Sequence, residues 1–244
     1  MKIFKDIHKA YRGVLIDVRD NYDHICAPRE QEIREIRDYS FRIDNPVAEA
    51  IITADEKRNE VIEDYTMKEW KLYDSCSNQV QDFAKASKFW NKLQNPDGTV
   101  NSAYGYLIWK KKSFGTIAYG DGLHRTPWEW AKESLIRDKD SRQAFLKFSL
   151  PEHQWFGNKD QTCTMHANFL IRDDKLHLTV VMRSNDVKLG LAYDLPWFVS
   201  LLDRMQDDLI ETYPELKIGT YTHIAHSMHM YERDLEDISK MIGV

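Results

Sequence analysis

The sequence predicts a mixed α+β fold in which helices cluster against a largely antiparallel sheet. Apolar residues recur at helical spacing within 44–70 and again after Pro196. Between these regions lie several short apolar runs with the character of strands. Two of the runs are separated only by Asp173-Asp174-Lys175, a turn sequence that favours antiparallel pairing of its neighbours.

In the first half of the chain, 44–70 is predicted to be helical because its apolar positions fall on one face. These positions are Val47, Ile51, Ile52, Val61, Ile62, Tyr65 and Trp70. A polar region, 74–82, follows. From Trp90 to Gly122 the chain is rich in Asn, Asp, Gly, Ser and aromatic residues, with the turn signals NPDGT and YGDG flanking the apolar run Tyr106–Trp109. We expect loops there, and loops often carry function.

In the second half, Thr126-Pro127-Trp128-Glu129 predicts a helix start, because it combines an N-cap hydroxyl, a proline at the first helical position and a nearby glutamate. The apolar stripe Trp130–Ile136 continues that helix. The predicted strands are Ala144–Ser149, Ala167–Arg172, Leu176–Arg183 and, near the end, Lys217–Ile224. Helical spacing after Pro196 involves Trp197, Leu201, Leu202, Met205 and Leu209, and a last helix is expected from about Tyr231.

Length and composition are those of a globular protein with one domain, 1–244. The chain has 244 residues, of which 42% are hydrophobic and 30% charged, and it contains neither an internal repeat nor a Pro/Gly/Ser-rich linker. Lys and Arg number 34 against 39 Asp and Glu, so there is no basic field to hold a nucleic-acid polymer. Charges interrupt every N-terminal apolar stretch, and three scattered cysteines suit a reducing environment. We therefore expect a cytoplasmic protein that is not inserted in a membrane.

Two segments carry residues suited to covalent chemistry and phosphate binding. Cys163 stands at the entrance to a predicted strand, near arginines that could lower its pKa, which makes it a candidate nucleophile. A single cysteine is more often a small buried apolar residue. Arg183-Ser184-Asn185-Asp186 follows a predicted strand directly and groups a guanidinium, a hydroxyl and backbone amides, as a phosphate monoester would require. Taken alone, the same segment is an ordinary polar strand end.

Three histidines spaced by three residues, His223, His226 and His229, raise the possibility of a zinc site. This spacing turns successive side chains about 300° around a helix and alternates the faces of a strand, so the three rings converge poorly. No acidic partner completes the set. We therefore expect no metal.

Taken together, these features resemble those of the thymidylate synthase superfamily, in the order in which that family carries them. The order is an early phosphate arginine, a helix glutamate, a Tyr-Gly loop, a Ser-Arg segment, a nucleophilic cysteine, RSxD, a base-reading residue and HxY. The stretch from Cys163 to Phe198, with NFLIRDDKLHLTVVMRSNDVKLG at its centre, carries the densest match. Within the superfamily it looks most like the phage deoxycytidylate hydroxymethylases. The resemblance implies a thymidylate-synthase-like fold whose sheet face forms a homodimer interface.

The resemblance also implies a role for each matching residue. Cys163 would add to carbon 6 of a pyrimidine, and Arg183, Ser184 and Arg29 would bind the phosphate, with Arg142 reaching across the homodimer. The backbone at Asp186 would hold a pyrimidine carbonyl, and His229 and Tyr231 would bind the sugar hydroxyl. Asn168 falls among the other substrate-binding positions. Glu69 would organise water and proton transfer near carbon 5 and border the folate, Tyr104 would lie near the departing proton, and Trp90 would pack on the folate.

Four departures from the synthase pattern bear on the substrate and the reaction. Asp194 stands where synthases have asparagine; a carboxyl group can accept from the exocyclic amine of cytosine and, when protonated, donate to ring nitrogen 3. A cytidylate substrate is therefore predicted. Thr164 and Ala192 replace a histidine and a proline of synthases, as in the hydroxymethylase branch. Gln143 replaces the second arginine of the Ser-Arg segment, which removes one charge from the phosphate site.

The implied enzyme is a metal-free homodimer that uses 5,10-methylenetetrahydrofolate to convert deoxycytidine monophosphate to its 5-hydroxymethyl derivative. Three alternatives lie within the family: a cytidine monophosphate hydroxymethylase, a deoxyuridylate hydroxymethylase and a thymidylate synthase. Outside the enzyme class, the chain could be a silent nucleotide-binding subunit of a nucleotide-synthesis complex, an idea to which Gln143 lends weight. A zinc protein is the remaining alternative.

Overall fold

The computed structural model describes residues 1–112 and 124–244. Their strands form one eight-stranded sheet in the order β1-β3-β8-β6-β5-β4, with β2 added to β3 and β7 added to β8. The strands are β1 Lys2–Phe4, β2 His24–Cys26, β3 Ile33–Ile43, β4 Phe145–Lys147, β5 Thr164–Arg172, β6 Lys175–Met182, β7 Asn185–Asp186 and β8 Lys217–Tyr231. The helices are α1 Ile7–Asp20, α2 Glu56–Asp74, α3 Val80–Ala86, α4 Tyr104–Trp109, α5 Pro127–Arg137, α6 Leu191–Leu209 and α7 Leu235–Ile242.

The sheet is mixed rather than purely antiparallel. Strands β4, β5 and β6 pair antiparallel in sequence order, and a two-residue turn with left-handed φ at Asp173 (52°) and Asp174 (56°) joins β5 to β6. The predicted strands and turn in this region are therefore confirmed. Strand β8 pairs parallel with β6 and antiparallel with β3, and helix α6 makes the connection between β6 and β8. The predicted α+β class is confirmed.

The two faces of the sheet differ in how they are covered. Along β5, Ala167, Phe169 and Ile171 are fully buried on the face that packs against the helices. The alternate residues His166, Asn168, Leu170 and Arg172 are only half-buried. This second face is the one that the resemblance assigns to a dimer. Of the described helices, none is both long and apolar enough to cross a membrane.

Helix α5 begins where the sequence predicts. The Thr126 hydroxyl accepts the backbone N–H of Glu129 at 3.2 Å, and the Glu129 carboxylate accepts the backbone N–H of Thr126 at 2.8 Å. This reciprocal capping box satisfies two of the donors that every helix start leaves unpaired.

Two helical boundaries in the first half differ from the prediction. The segment 44–55 is irregular, because strand β3 ends at Ile43 and helix α2 starts only at Glu56, where the Asp55 side chain caps the N–H of Arg58. The apolar run Tyr106–Trp109, expected in a loop, lies in helix α4. The YGDG turn signal at 119–122 lies outside the described residues.

In the second half, helix α6 starts at Leu191 and contains Pro196 within it, so Asp194 lies in its first turn rather than before it. The expected strand Lys217–Ile224 continues to Tyr231, since β8 stays paired with β3 as far as Ile33 opposite Tyr231. The last helix accordingly starts at Leu235 instead of near Tyr231.

Several elements add to those that the sequence predicts, and helix α1 and strand β3 are the longest of them. Charged residues separate the apolar positions of α1, yet Ile7, Ala10, Tyr11, Val14, Leu15 and Val18 are all buried against the sheet. Tertiary packing thus selects a helical face that charge interruptions conceal in the sequence.

Candidate active site

The end of β6 and the start of β5 bring Cys163 and Arg183 together. Arg183 donates its backbone N–H to the Cys163 carbonyl oxygen at 2.9 Å, and its guanidinium Nη2 lies 3.6 Å from the Cys163 sulfur. The same guanidinium donates to the carbonyl oxygens of Gln161 (2.6 Å) and Thr162 (3.1 Å). These bonds hold Arg183 rigidly beside the thiol. Ser184 follows it, half-buried, at the same edge of the sheet.

The thiol of Cys163 experiences opposing electrostatic influences. Burial raises its pKa, and the positive charges of Arg183 and Arg29 lower it, while Asp194 and Asp160 raise it further. Arg29 acts from the short 3-10 turn Pro28–Glu30, where its φ is 52°. The structure therefore brings the early arginine of the sequence within electrostatic reach of the cysteine.

Asp194 lies in the first turn of α6 and is held by a buried amide. Asn185, which is 2% exposed, donates from Nδ2 to Oδ2 of Asp194 at 2.8 Å. Burial and the charge of Asp186 raise the pKa of Asp194 to about 7, although the Asn185 hydrogen bond opposes the shift. A Cβ at Gly190 would come within 2.8 Å of Asn185 Nδ2, so a glycine is needed for this contact. Asn185 lies inside the RSND segment, yet nothing in the sequence distinguishes it as a functional residue.

A second carboxyl group, that of Glu69 in helix α2, lies near Asp194. Its side chain is 7% exposed, and burial together with the charge of Asp194 raises its pKa to about 8. Hydrogen bonds from Tyr73 and Tyr65 work in the opposite direction, because they stabilise the ionised form. Two carboxyl groups that titrate near neutrality are typical of general acid–base sites.

Tyr104 stands at the start of helix α4, not in a loop as predicted. Its hydroxyl oxygen accepts from Thr164 Oγ1 at 2.9 Å and from the Thr164 backbone N–H at 3.4 Å. Burial, reinforced by the charges of Asp194 and Cys163, raises the pKa of Tyr104 well above 10. The side chain therefore stays a phenol whose own proton is free to be donated. Gly105 lets α4 approach α2, since a Cβ there would lie 1.9 Å from the Tyr73 carbonyl oxygen.

Trp90 borders this cluster from the 3-10 turn Lys88–Lys92. The indole is 8% exposed and packs edge-on against Phe83 at 4.8 Å between ring centroids. Its Nε1–H donates to the Tyr65 hydroxyl at 3.1 Å. A small part of the ring thus remains available to a ligand.

Asp186, His229 and Tyr231 form a neighbouring group where β7 pairs with β8. Asp186 lies opposite His229 in the register, and its Oδ1 accepts the backbone N–H groups of Lys188 (2.8 Å) and Leu189 (3.2 Å). Burial raises the pKa of Asp186, and the charge of His229 opposes this. The rings of His229 and Tyr231 meet edge to face at 5.7 Å.

Arg142 and Asn168 do not belong to the cluster around Cys163. Both line a groove on the half-buried face of the sheet together with Phe145, Lys147 and His166. Asn168 donates to the Ala144 carbonyl oxygen at 2.9 Å, and Arg142 is exposed. One chain alone therefore does not bring these two residues to Cys163.

The three spaced histidines do not converge. His223 is fully buried, stacks on Phe41 at 5.2 Å and shares a 2.8 Å hydrogen bond with Tyr221, whereas His226 is exposed and bonds Asp38. Across residues 1–112 and 124–244, no group of three or more His, Cys, Asp or Glu side chains is arranged to hold a metal ion.

Comparisons with known proteins identify the family to which this chain is similar. The family model described as thymidylate synthase matches residues 45–243. The deoxycytidylate 5-hydroxymethyltransferase of Enterobacteria phage T6 is 30% identical over 178 residues, which cover 70% of this chain and 68% of the relative. The deoxyuridylate hydroxymethyltransferase of Bacillus phage SP01 is 26% identical over 97% of this chain and 61% of its own length.

A solved structure shows the same fold. Thermostable thymidylate synthase A from Bacillus subtilis superposes with a TM-score of 0.72 at 19% identity, covering 97% of this chain and 84% of that one. Together with the family match over 45–243, these findings show that the chain belongs to the thymidylate synthase family, enzymes of one-carbon transfer that use methylenetetrahydrofolate as co-substrate.

Proposed function

We propose that the protein transfers a one-carbon unit from 5,10-methylenetetrahydrofolate to carbon 5 of deoxycytidine monophosphate and hydrates it, releasing 5-hydroxymethyl-deoxycytidine monophosphate and tetrahydrofolate. The observation that carries the proposal is the position of Asp194. Its charge raises the pKa values of Cys163, Glu69 and Tyr104 alike, so it lies among the groups that would act on the base. Relatives with cytosine and with uracil substrates both occur, and this residue is the basis for choosing cytosine.

Cys163 is proposed to open the reaction. Its sulfur forms a bond to carbon 6 of the pyrimidine as the carbon 5–carbon 6 double bond breaks, and the electron pair moves to carbon 5. The attacking species is the thiolate, so the neighbouring guanidinium of Arg183 favours it and the surrounding burial disfavours it. Protonation of the base at the same moment therefore matters for the rate.

Asp194 is proposed to supply that proton and to read the base. With a pKa of about 7, roughly half of the carboxyl groups carry a proton at neutral pH. The protonated form can donate to nitrogen 3 of cytosine while the other oxygen accepts from the exocyclic amine. Recognition and acid catalysis would then use one side chain.

Glu69 and Tyr104 are proposed to handle the protons and water at carbon 5. After the one-carbon unit is attached, carbon 5 gives its proton to a water molecule in the site. The electron pair of that bond forms an exocyclic methylene as tetrahydrofolate leaves with the electrons of its bond to the unit. Glu69, in its ionised form, takes a proton from the water that adds to this methylene, and the sulfur then leaves carbon 6. Tyr104 donates a hydrogen bond in this space, because Thr164 already occupies the lone pairs of its hydroxyl.

The folate supplies the one-carbon unit at the oxidation level of formaldehyde when it binds. Trp90 would contact it through the exposed part of the indole, with Glu69 at its border. Hydration rather than reduction is favoured by Thr164 and Ala192, which depart from the synthase pattern, and the buried carboxyl group of Glu69 would direct the water.

The rest of the nucleotide is proposed to bind on the side of the site away from the folate. Arg183, Arg29 and Ser184 would bind the phosphate, the backbone at Asp186 the base carbonyl, and the ring pair His229–Tyr231 the sugar hydroxyl.

Arg142 and Asn168 fit this scheme only in a homodimer. Both lie in the groove on the half-buried sheet face, where a second copy of the chain would be placed, and the exposed guanidinium of Arg142 would enter the partner's phosphate site. The proposed catalytic unit is the whole chain, 1–244, as one domain, because the candidate residues extend from Arg29 to Tyr231.

Product analysis tests the proposal directly. The enzyme is incubated with methylenetetrahydrofolate in ¹⁸O-labelled water in three separate reactions, which contain deoxycytidylate, cytidylate or deoxyuridylate. We expect a hydroxymethyl product containing ¹⁸O, formed fastest from deoxycytidylate, and no dihydrofolate absorbance. Faster product formation from either competing nucleotide, or dihydrofolate formation, would replace the proposal by the corresponding alternative, and no product from any of them would support a silent subunit.

A further inference from the structure

Helix α2 presents three polar residues in one row toward the candidate site. Tyr65, Glu69 and Tyr73 are spaced by four residues each, which stacks their side chains on a single face of the helix. Both tyrosine hydroxyls lie close enough to the Glu69 carboxyl group to lower its pKa as hydrogen-bond donors. The rings of the two tyrosines pack against different side chains. Tyr73 stacks on Tyr104, with 5.5 Å between ring centroids, and Tyr65 packs against Tyr193 at 4.6 Å.

The hydroxyl of Tyr65 has a defined direction because of Trp90. An indole nitrogen can only donate, so in the 3.1 Å contact between Trp90 Nε1 and Tyr65 the hydroxyl oxygen must be the acceptor. The single proton of that hydroxyl is then free for another acceptor, and the Glu69 carboxylate, one helical turn further on, is the acceptor within reach. Trp90, Tyr65 and Glu69 are thus placed for a directed chain of hydrogen bonds that runs from the indole to the carboxylate.

We propose that Tyr65 is a positioning residue for Glu69, which links the indole on the folate side of the site to the carboxyl group that handles water. This inference rests on the proposed function of Glu69 and adds a residue to it. Tyr65 is not expected to touch the nucleotide. It fixes the orientation of the Glu69 side chain and stabilises its ionised form, and Trp90 fixes Tyr65 in turn.

The ionisable groups around Glu69 determine whether its carboxyl group is protonated. Asp194 and Tyr193 face it from helix α6, and Tyr65 and Tyr73 lie beside it on α2. Burial and the Asp194 charge favour the protonated acid, whereas the two hydroxyl donors favour the carboxylate. Loss of either donor is therefore expected to move the Glu69 titration to higher pH.

The test measures the titration of Glu69 in the free enzyme, by ¹³C NMR of protein labelled at the glutamate carboxyl carbon, with E69Q to assign the signal. Y65F is expected to raise the midpoint by about one pH unit, since a hydrogen bond to a charged group is lost. W90F should raise it by less, because the Tyr65 hydroxyl remains but is no longer held. The matched control is Y73F, which removes the other donor without touching Trp90.

The decisive result is whether the effect of Trp90 passes through Tyr65. We expect the W90F shift to persist in the Y73F background and to disappear in the Y65F background, as for residues that act through one another. A Glu69 midpoint unchanged by Y65F, or a W90F shift that survives in the Y65F background, would overturn the link. W90F and Y73F still test it from the other end if Y65F does not fold.

These midpoints are recorded without nucleotide or folate, so failure of the proposed substrate would leave them unchanged. Activity is measured in parallel. The alkaline shift of Y65F should reappear in the pH profile of product formation, and it should be absent from the residual activity of E69Q. A profile that does not move with the midpoint would contradict the proposed role of Glu69 and leave the hydrogen-bonded chain itself intact.

Discussion

Replacement of Asp194 by asparagine is predicted to reverse the base preference. The substitution keeps the size of the side chain and removes its ability to ionise. In the wild-type protein Asn185 donates to Oδ2 of Asp194, so an amide at this position would turn its oxygen toward Asn185. Its NH₂ group would then take the place of Oδ1. The variant therefore presents a fixed donor where the carboxyl group can accept from the amine of cytosine.

The size of the effect follows from two donors that face each other in a buried site. Each unpaired buried group costs about 1–3 kcal/mol, so the amine of cytosine and the new amide N–H together cost about 2–6 kcal/mol. That corresponds to a fall in kcat/KM for deoxycytidylate between about 30-fold and about 10⁴-fold. Deoxyuridylate, whose carbonyl accepts from the same N–H, should become the better substrate.

The assay compares kcat/KM for the two nucleotides by chromatographic detection of the hydroxymethyl product. Asp203→Asn serves as the matched control, because Asp203 lies exposed on the same helix, and it should leave both values unchanged. Loss of the Asp194 charge should also lower the pKa of Glu69 from about 8. A D194N enzyme that keeps the wild-type preference for deoxycytidylate would refute the assignment of this residue as the reader of the base.

Three further predictions concern binding and stability. Gln143→Arg restores a charge to the proposed phosphate site and should lower KM for the nucleotide on the order of tenfold, as one charge-assisted hydrogen bond would; an unchanged KM would contradict a contribution of this position. Burial lowers the pKa of His223 to about 3, so the free energy of unfolding measured in urea should be highest above about pH 6.5 and fall by about 1.4 kcal/mol per pH unit below it; H223F should flatten this slope, and an unchanged slope would contradict the assignment to His223. Thr126→Ala breaks the capping box of α5 and should cost about 1 kcal/mol, or about 2–4 °C in Tm by calorimetry, whereas an unchanged Tm would mean that the cap adds nothing.

Local signals in the sequence predict those elements whose pattern is complete within a few residues. The capping box at Thr126 and the Asp173-Asp174 turn are examples, because their hydrogen bonds and backbone angles are set by neighbours in the chain. The full length of β8 is different. Its second half is held by pairing with β3, which is nearly 200 residues away in sequence, and its polar His226-Ser227 step conceals the strand.

The candidate site shows the same division. Family resemblance indicates Cys163, Glu69 and Asp194, and the structure places all three within one electrostatic neighbourhood. The resemblance gives no indication of the residues that hold these three side chains in place. Asn185 and Tyr65 emerge only from tertiary contacts, since a buried amide or hydroxyl has no periodicity that distinguishes it from a surface one.

The central claim is that the sulfur of Cys163 attacks carbon 6 of a cytosine nucleotide. Carbon 5 can exchange its hydrogen only after this attack, so the exchange reports whether the attack occurs. The most direct measurement is the release of tritium from deoxycytidylate labelled at carbon 5, in the presence of methylenetetrahydrofolate, by the wild-type protein and by Cys163→Ser. Wild-type protein should release tritium, and the variant should release none while it still binds the nucleotide. Release by the variant at the wild-type rate, or no release by the wild-type protein, would contradict the mechanism.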